Sequence, residues 1–266
     1  MDNQSLQGKW ALILGASSGF GAATASALAG AGMNIVGVHL DMRATLPAAK
    51  AVMAGIEAMG SRAVFFNTNA ADPDRRTRVL DGFQEAAGPN ARIHVLMHSL
   101  AFGTLLPFIA DNPDEAISQP QMEMTLNVMA HSLVYWVQDL VRRNLLVWGS
   151  RVFSMTSEGS HRVVPNYGAV GAAKATLESH TRQLAMELGP RGILVNTIQA
   201  GVTDTPALRK IPGSDRMIET TMRRNPSGRM TTPEDVAATI LALSQPAVQF
   251  ISGSTIFVDG GEDAIG

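Results

Sequence analysis

The 266-residue chain contains no cysteine, which excludes disulfides and thiolate metal ligands together. Charge is in short supply as well: 21 Lys and Arg against 23 Asp and Glu leave a formal net charge of −2. Such a balance gives no electrostatic basis for binding nucleic acid or an acidic membrane. No apolar run approaches the ~20 residues of a membrane span, and the opening Met1 to Lys9 lacks the basic and apolar stretches of a signal peptide. A cytoplasmic protein is expected. Aromatics are only 5% of residues, with two tyrosines. Tyr135 sits among Leu133, Val134, Trp136 and Val137, which reads as core or interface. Tyrosine chemistry, if any, falls to Tyr167.

What is present is alternation. Short apolar runs at 10–14, 34–39, 63–67, 93–97, 151–155, 194–198 and 255–258 read as strands. Between them 22–31, 46–59, 73–87, 121–143, 169–188 and 233–243 read as helices. Strand–helix alternation predicts an α/β fold: one parallel sheet of about seven strands, doubly wound, with helices on both faces. Near-continuous apolar strands fit a sheet covered on both sides. No linker or repeat interrupts residues 1–266, so one domain is expected. The long irregular stretch at 201–228, with Pro206, Pro212, Gly213 and Pro226, reads as a substrate lid near 204–228.

Gly15-Ala-Ser-Ser-Gly-Phe-Gly21 follows the first apolar run and opens an alanine-rich helix, the context in which such a loop binds a dinucleotide. Gly15 permits the turn, Gly19 the approach of pyrophosphate, and Gly21 close helix packing. Ser17, Ser18 and Phe20 complete the cradle, and the helix N-terminus supplies free N–H groups and positive dipole charge. In such folds an acid ending the second strand holds the ribose of NADH, while a nearby base favours the 2′-phosphate of NADPH. Here His39 takes the usual acidic position, Arg43 follows four residues later, and Asp41 lies between. NADPH is the favoured expectation and NADH the alternative, since an inward Asp41 would repel a phosphate.

Tyr167 is followed seven residues later by Lys174. Seven residues are about two turns, placing both side chains on one helical face roughly 10 Å apart. His98 and His161 have no partner at metal-ligand spacing, so no metal site is expected.

These pieces, with Arg191-Gly-Ile-Leu-Val-Asn196, Ala200-Gly-Val-Thr-Asp-Thr205 and Val258-Asp-Gly-Gly261, resemble the short-chain dehydrogenase/reductase superfamily over essentially the whole chain. That implies a Rossmann fold. Ordinary members carry Tyr-x3-Lys, but Gly171 stands at that lysine position. Tyr-x6-Lys, His98-Ser-Leu-Ala-Phe102 and Pro165-Asn-Tyr-x6-Lys-Ala-x-Leu-Glu178 are similar to the divergent branch, the enoyl-acyl-carrier-protein reductases of fatty-acid synthesis. Three features depart from most of that branch: the short glycine loop, Ser157 where a second tyrosine is usual, and Asn127 in the long fourth helix. The combination most resembles the NADPH-using type III enoyl reductases, although Ser18 replaces the arginine usual in their loop.

The resemblance implies that Tyr167 donates to the enolate oxygen of a reduced enoyl thioester. Lys174 would hold the nicotinamide ribose and lower the phenol pKa. Ser157 assists, or Thr156 or Ser154 in its stead. Ser99 and Ala101 line the cofactor, Asn69 and Ala70 flank the adenine, and Thr203 and Thr205 meet the carboxamide and phosphates. His98 is expected to pack beneath the nicotinamide loop. The lid, with Leu208, Ile211, Met217, Ile218 and Met222 beside Arg209, Lys210, Arg216, Arg223 and Arg224, would cover an acyl chain and face an acyl carrier protein. A homotetramer is implied. The alternative reading is a ketone or alcohol oxidoreductase of the same superfamily; a third is a non-catalytic nucleotide-binding protein, which would not need to keep Tyr167 and Lys174.

Overall fold

The computed structural model describes residues 3–211 and 213–265; Pro212, one of the prolines read into the lid, lies outside them. Seven strands form one sheet: β1 (Trp10–Leu14), β2 (Asn34–His39), β3 (Ala63–Asn67), β4 (Ile93–His98), β5 (Leu146–Thr156), β6 (Leu194–Ala200) and β7 (Thr255–Val258). Their order is β3-β2-β1-β4-β5-β6-β7, and every neighbouring pair is parallel. The chain winds outward from β1 in one direction and from β4 in the other. Between those two strands lies the crevice where open α/β sheets bind ligands.

Side chains alternate across a strand, and β1 shows what that achieves. Trp10, Leu12 and Leu14 enter one core layer, while Ala11 and Ile13 enter the other. The second layer is closed by Ala25, Leu28 and Ala29 of α1 (Gly19–Gly30), Ile56 of α2 (Leu46–Ala58) and Val236 and Ile240 of α8 (Pro233–Leu243). The first is closed by α3 (Pro73–Ala87), α5 (Ser132–Arg142) and α6 (Gly168–Leu188). Leu133, Trp136, Val137 and Leu140 make the buried stripe of α5 at the spacing one helical face requires. Each such side chain contributes about 1.5–3 kcal/mol on burial. Tyr135 does not join them: it is 39% exposed, with the Arg76 guanidinium over its ring. A core position for Tyr135 is thereby corrected.

Three further elements differ from expectation. The helix read over 121–143 is divided into α4 (Gln119–Leu126), a π-helical turn (Asn127–His131) and α5. Strand β5 begins at Leu146, ahead of the expected 151, and carries a buried Arg151 whose guanidinium donates to the carbonyls of Gly149, Leu243 and Val248. The stretch read as irregular contains α7 (Ser214–Arg224). Asp215 in its first turn and Arg223 and Arg224 in its last complement the helix dipole.

Candidate active site

The glycine loop connects β1 to α1 and rests on its neighbours by backbone contact. The amides of Gly15 and Ala16 donate to Val38 O of β2, and Ser99 N donates to Leu14 O at 2.9 Å. Gly15 has φ +93°, and a Cβ there would lie 2.3 Å from Ser99 O. A Cβ on Gly21 would lie 2.0 Å from Gly15 O. So α1 can only approach its own loop because position 21 is bare. The first intrahelical bond runs from Ala22 N to Ser18 O, leaving the amides ahead of it without helical acceptors. Thr205, buried, sets its methyl 3.6 Å from where a Gly19 Cβ would stand. This is a cradle bounded by bare backbone and donor amides, and a dinucleotide pyrophosphate fits it.

At the end of β2, His39 is buried and its Nδ1 lies 2.8 Å from Asp41 Oδ2. Burial alone would raise the Asp41 carboxyl, but hydrogen bonds from Thr45, Ser17 and His39 outweigh it and hold the group below its ordinary range. Asp41 thus points inward, against the glycine loop, while Arg43 is exposed. After β3, Asn69 Oδ1 accepts from Ala71 N, and Ala70 O accepts the Trp136 indole N–H. Ser99 is half-buried beside the loop and Ala101 is exposed. Thr203 donates to Gly201 O, and Thr205 Oγ1 accepts from Leu208 N; both hydroxyls are occupied as loop caps.

The catalytic candidates come from the C-terminal ends of β4 and β5 and the start of α6. Tyr167 is not a helical residue: it caps α6 with φ −95° and ψ 2°. Its hydroxyl lies 3.3 Å from Ser157 Oγ, which singles out Ser157 among the serine and threonine candidates. Ser154 instead bonds Thr181 and Thr197, and Thr156 donates to Glu178. Two glycines missed by sequence reasoning as site residues make room for the phenol. A Cβ on Gly159 would lie 2.4 Å from Tyr167 Cε1, and one on Gly171 would lie 2.5 Å from Gly159 O. Gly171 is therefore the packing floor of the site, and a lysine there would not fit.

Lys174 is buried and donates through Nζ to Met155 O at 2.7 Å. Burial lowers its pKa to about 8, against the opposing charge of Glu178. Burial also raises the Tyr167 phenol; Ser157 partly offsets this and Glu158 adds to it. The expected lowering of the phenol by Lys174 is thus corrected: the ammonium is held by a backbone carbonyl and desolvation dominates. His98 is fully buried, with Nε2 2.8 Å from Ser132 Oγ, and burial with the nearby Lys174 charge lowers it to about 3. It is a neutral packing residue beneath the site. Asn127 opens the π-helical turn, a distortion that recurs at functional sites.

Around the mouth, Glu262 is buried and accepts from Thr221 Oγ1 of α7 at 2.6 Å and from Val202 N at 3.1 Å. Asp263 accepts from Arg162 Nε and His161 Nε2. The segment after β7 thus ties α7 to the turn that follows Ser157. Among the described residues no helix is long and apolar enough to cross a membrane.

The family described as enoyl-(acyl carrier protein) reductase matches residues 15–262. A cyclohexanol dehydrogenase from Rhodococcus is 29% identical over 98% of both chains. An enoyl-[acyl-carrier-protein] reductase [NADH] from Synechocystis is 33% identical, over 66% of each. The crystal structure of a short-chain dehydrogenase from Burkholderia cenocepacia in complex with NADP has a TM-score of 0.82 at 32% identity, covering 97% of this chain and 99% of that one. The relatives divide between enoyl reductases and alcohol or ketone dehydrogenases. The chain belongs to the enoyl-(acyl carrier protein) reductase family of the short-chain dehydrogenase/reductase superfamily, and is an oxidoreductase using NAD or NADP.

Proposed function

We propose that this protein reduces the carbon–carbon double bond of an enoyl thioester. The observation that carries the reading is the seven-residue offset of Tyr167, at the cap of α6, from Lys174 within the helix, with the phenol raised by burial. Bound nicotinamide would supply hydride to the β-carbon. Charge then develops on the thioester oxygen, at the far end of the conjugated system. A phenol kept protonated by burial has its proton available to donate to that oxygen. Ser157 orients the phenol, and Lys174 sets the cationic side of the pocket. A ketone reductase instead requires proton transfer to the oxygen borne by the carbon that receives hydride. Ser157 and the π-turn Asn127 favour that second reading, which the cyclohexanol dehydrogenase likeness also supports.

For the cofactor, the inward Asp41 and exposed Arg43 shift the balance from the NADPH expected on sequence towards NADH. A carboxylate held below its ordinary range beside Ser17 accepts ribose hydroxyls and repels a 2′-phosphate. The α7 segment serves as the lid; Arg216, Arg223 and Arg224 are exposed on it and would face an acidic acyl carrier protein, whereas Arg209 is already paired with Asp204 and Asp215. Assembly is proposed as a homotetramer, with Tyr135 and the edge residue Phe257 exposed for contact; light scattering tests it.

The deciding experiment follows NADH and NADPH oxidation with a crotonyl and an acetoacetyl thioester. Oxidation with crotonyl alone is expected, and Tyr167→Phe should lower it about 10²-fold or more while sparing cofactor binding. Activity with the ketone alone overturns the enoyl reading in favour of the second.

A further inference from the structure

Lys174 and Glu178 lie one turn apart on α6, and each is fastened to the end of β5. Lys174 Nζ donates to Met155 O at 2.7 Å, and the next residue, Thr156, donates its hydroxyl to Glu178 Oε1 at 2.7 Å. The residue after that is Ser157. Consecutive positions of β5 thus clip the lysine and the glutamate and then present the serine that meets Tyr167. A helix fixed at two adjacent points of a strand cannot rotate or slide without breaking both bonds, so the register of α6 on β5 is set beside the reacting groups.

The charges around Lys174 are few. From β4 comes His98, which is fully buried and neutral down to about pH 3. From the turn before α6 comes the Tyr167 phenol, also neutral because burial raises it. From α6 itself comes Glu178, among the described residues the one group whose charge acts to keep the ammonium protonated. A cation in a site this dry is costly without a compensating charge.

We propose that Glu178 is a positioning residue of the active site: held by Thr156, it supplies the counter-charge that keeps buried Lys174 cationic and fixes the helix register that brings Tyr167 to Ser157. The inference rests on Lys174 being the lysine of the site, as the proposed function has it. It does not depend on whether the substrate is an enoyl thioester or a ketone.

The test uses Glu178→Gln, whose amide oxygen still accepts from Thr156 while the charge is gone. The chain has four lysines, Lys9, Lys50, Lys174 and Lys210, so each ammonium can be followed by NMR in the intact protein labelled at lysine, with Lys174→Arg giving the assignment. The Lys174 midpoint, about 8 in the native protein, is expected to fall by about one unit in E178Q. Thr156→Val, which frees the carboxylate without removing it, should shift it downward by less. Cofactor affinity, read by nucleotide fluorescence, should be about fivefold weaker in E178Q at pH 8.5 yet close to native at pH 6.5, where Lys174 is mostly charged in both proteins. An unchanged Lys174 midpoint in E178Q overturns the proposal, as does an affinity loss equal at both pH values, which is what a merely structural role predicts. Should the midpoint shift while cofactor affinity ignores it at every pH, Lys174 is not the cofactor lysine, and it is the underlying assignment of the site that fails.

Discussion

Gly171 offers the sharpest test of how the site is built. A Cβ at that position would stand 2.5 Å from Gly159 O, whereas carbon–oxygen contacts begin near 3.4 Å. Gly171→Ala therefore forces α6 and the turn after Ser157 about 1 Å apart. The backbone carbonyl cannot rotate aside as a flexible side chain would, so the strain spreads through both elements. Overpacking of this kind costs about 1–3 kcal/mol, equivalent to a fall of roughly 2–5 °C in Tm for a chain of this size. The same displacement pulls the Tyr167 hydroxyl out of reach of Ser157 Oγ, now 3.3 Å away. A misplacement of about 1 Å in reacting groups lowers kcat about 10²-fold. The glycine loop lies on other elements, so cofactor Kd should change far less than kcat, through Lys174 alone. Exposed Ala175 on the same helix is the control: Ala175→Gly loses about 1 kcal/mol of helix propensity and should leave kcat intact. The assay pairs thermal melts with turnover of the crotonyl thioester for both variants. Native kcat in G171A, or an equal kcat loss in A175G, would refute the packing argument.

Asp41→Asn removes the charge facing the ribose site while keeping a polar side chain; affinity for NADPH relative to NADH should rise about tenfold, and an unchanged ratio would show that Asp41 does not discriminate. Glu262→Gln weakens the bond from Thr221 of α7, so the lid should loosen: trypsin should cut within 214–224 several-fold faster and KM for a long acyl thioester should rise with kcat little altered. Equal cleavage rates would show that Glu262 does not hold the lid. His94 and His98 are lowered by burial to about 4 and about 3, so the unfolded chain binds protons that the native one refuses. The stability they contribute is complete above pH 6.5 and declines as pH falls from there towards 4, by about 1.4 kcal/mol per pH unit for each. Glu158, raised by burial, opposes this slightly near its ordinary range. Urea unfolding between pH 7 and 5 reads the slope; a flat profile would mean that these imidazoles are protonated in the native state.

The sheet was legible because short apolar runs mark its strands, from buried β1 and β2 to the half-buried edges β3 and β7: four of the seven have the bounds read from sequence. Boundaries slipped where tertiary contact decides. Strand β5 extends back to Leu146 because Ser150 donates to Ile93 O and the Arg151 guanidinium finds carbonyl acceptors distant in sequence. The break in the helix at 127–131 has no proline or glycine to announce it; Ser132, bonded to both Val128 O and His98, lies just beyond the widened turn. Within the site, Gly15, Gly21, Tyr167 and Lys174 could be named from motif spacing, and Ser157 from the family resemblance. Glu178, Gly159 and Glu262 could not be given roles, because what they touch is set by the approach of separate elements. Asp41 was visible, but whether it faced inward depended on Ser17 and Thr45.

The placement of Tyr167 follows from the same packing. A tyrosine four residues before Lys174 would stand at Val170, whose side chain is buried in the core and points at Gly103. A phenol cannot occupy that space without displacing Met129 and Thr125, which also face Gly103. Supplied from the cap of α6 instead, the phenol reaches Ser157 across the bare surfaces of Gly159 and Gly171. Lys174, meanwhile, stays two turns into the helix on Met155 O. The hydroxyl donor and the cation therefore enter the site from separated points along α6. Such a separation suits the substrate proposed above, whose charge develops away from the carbon that accepts hydride. A ketone, whose oxygen sits on the reacting carbon, has no need of it. The sequence spacing and the glycine floor are thus two expressions of one constraint, and the proposed reduction of a conjugated thioester rests on it.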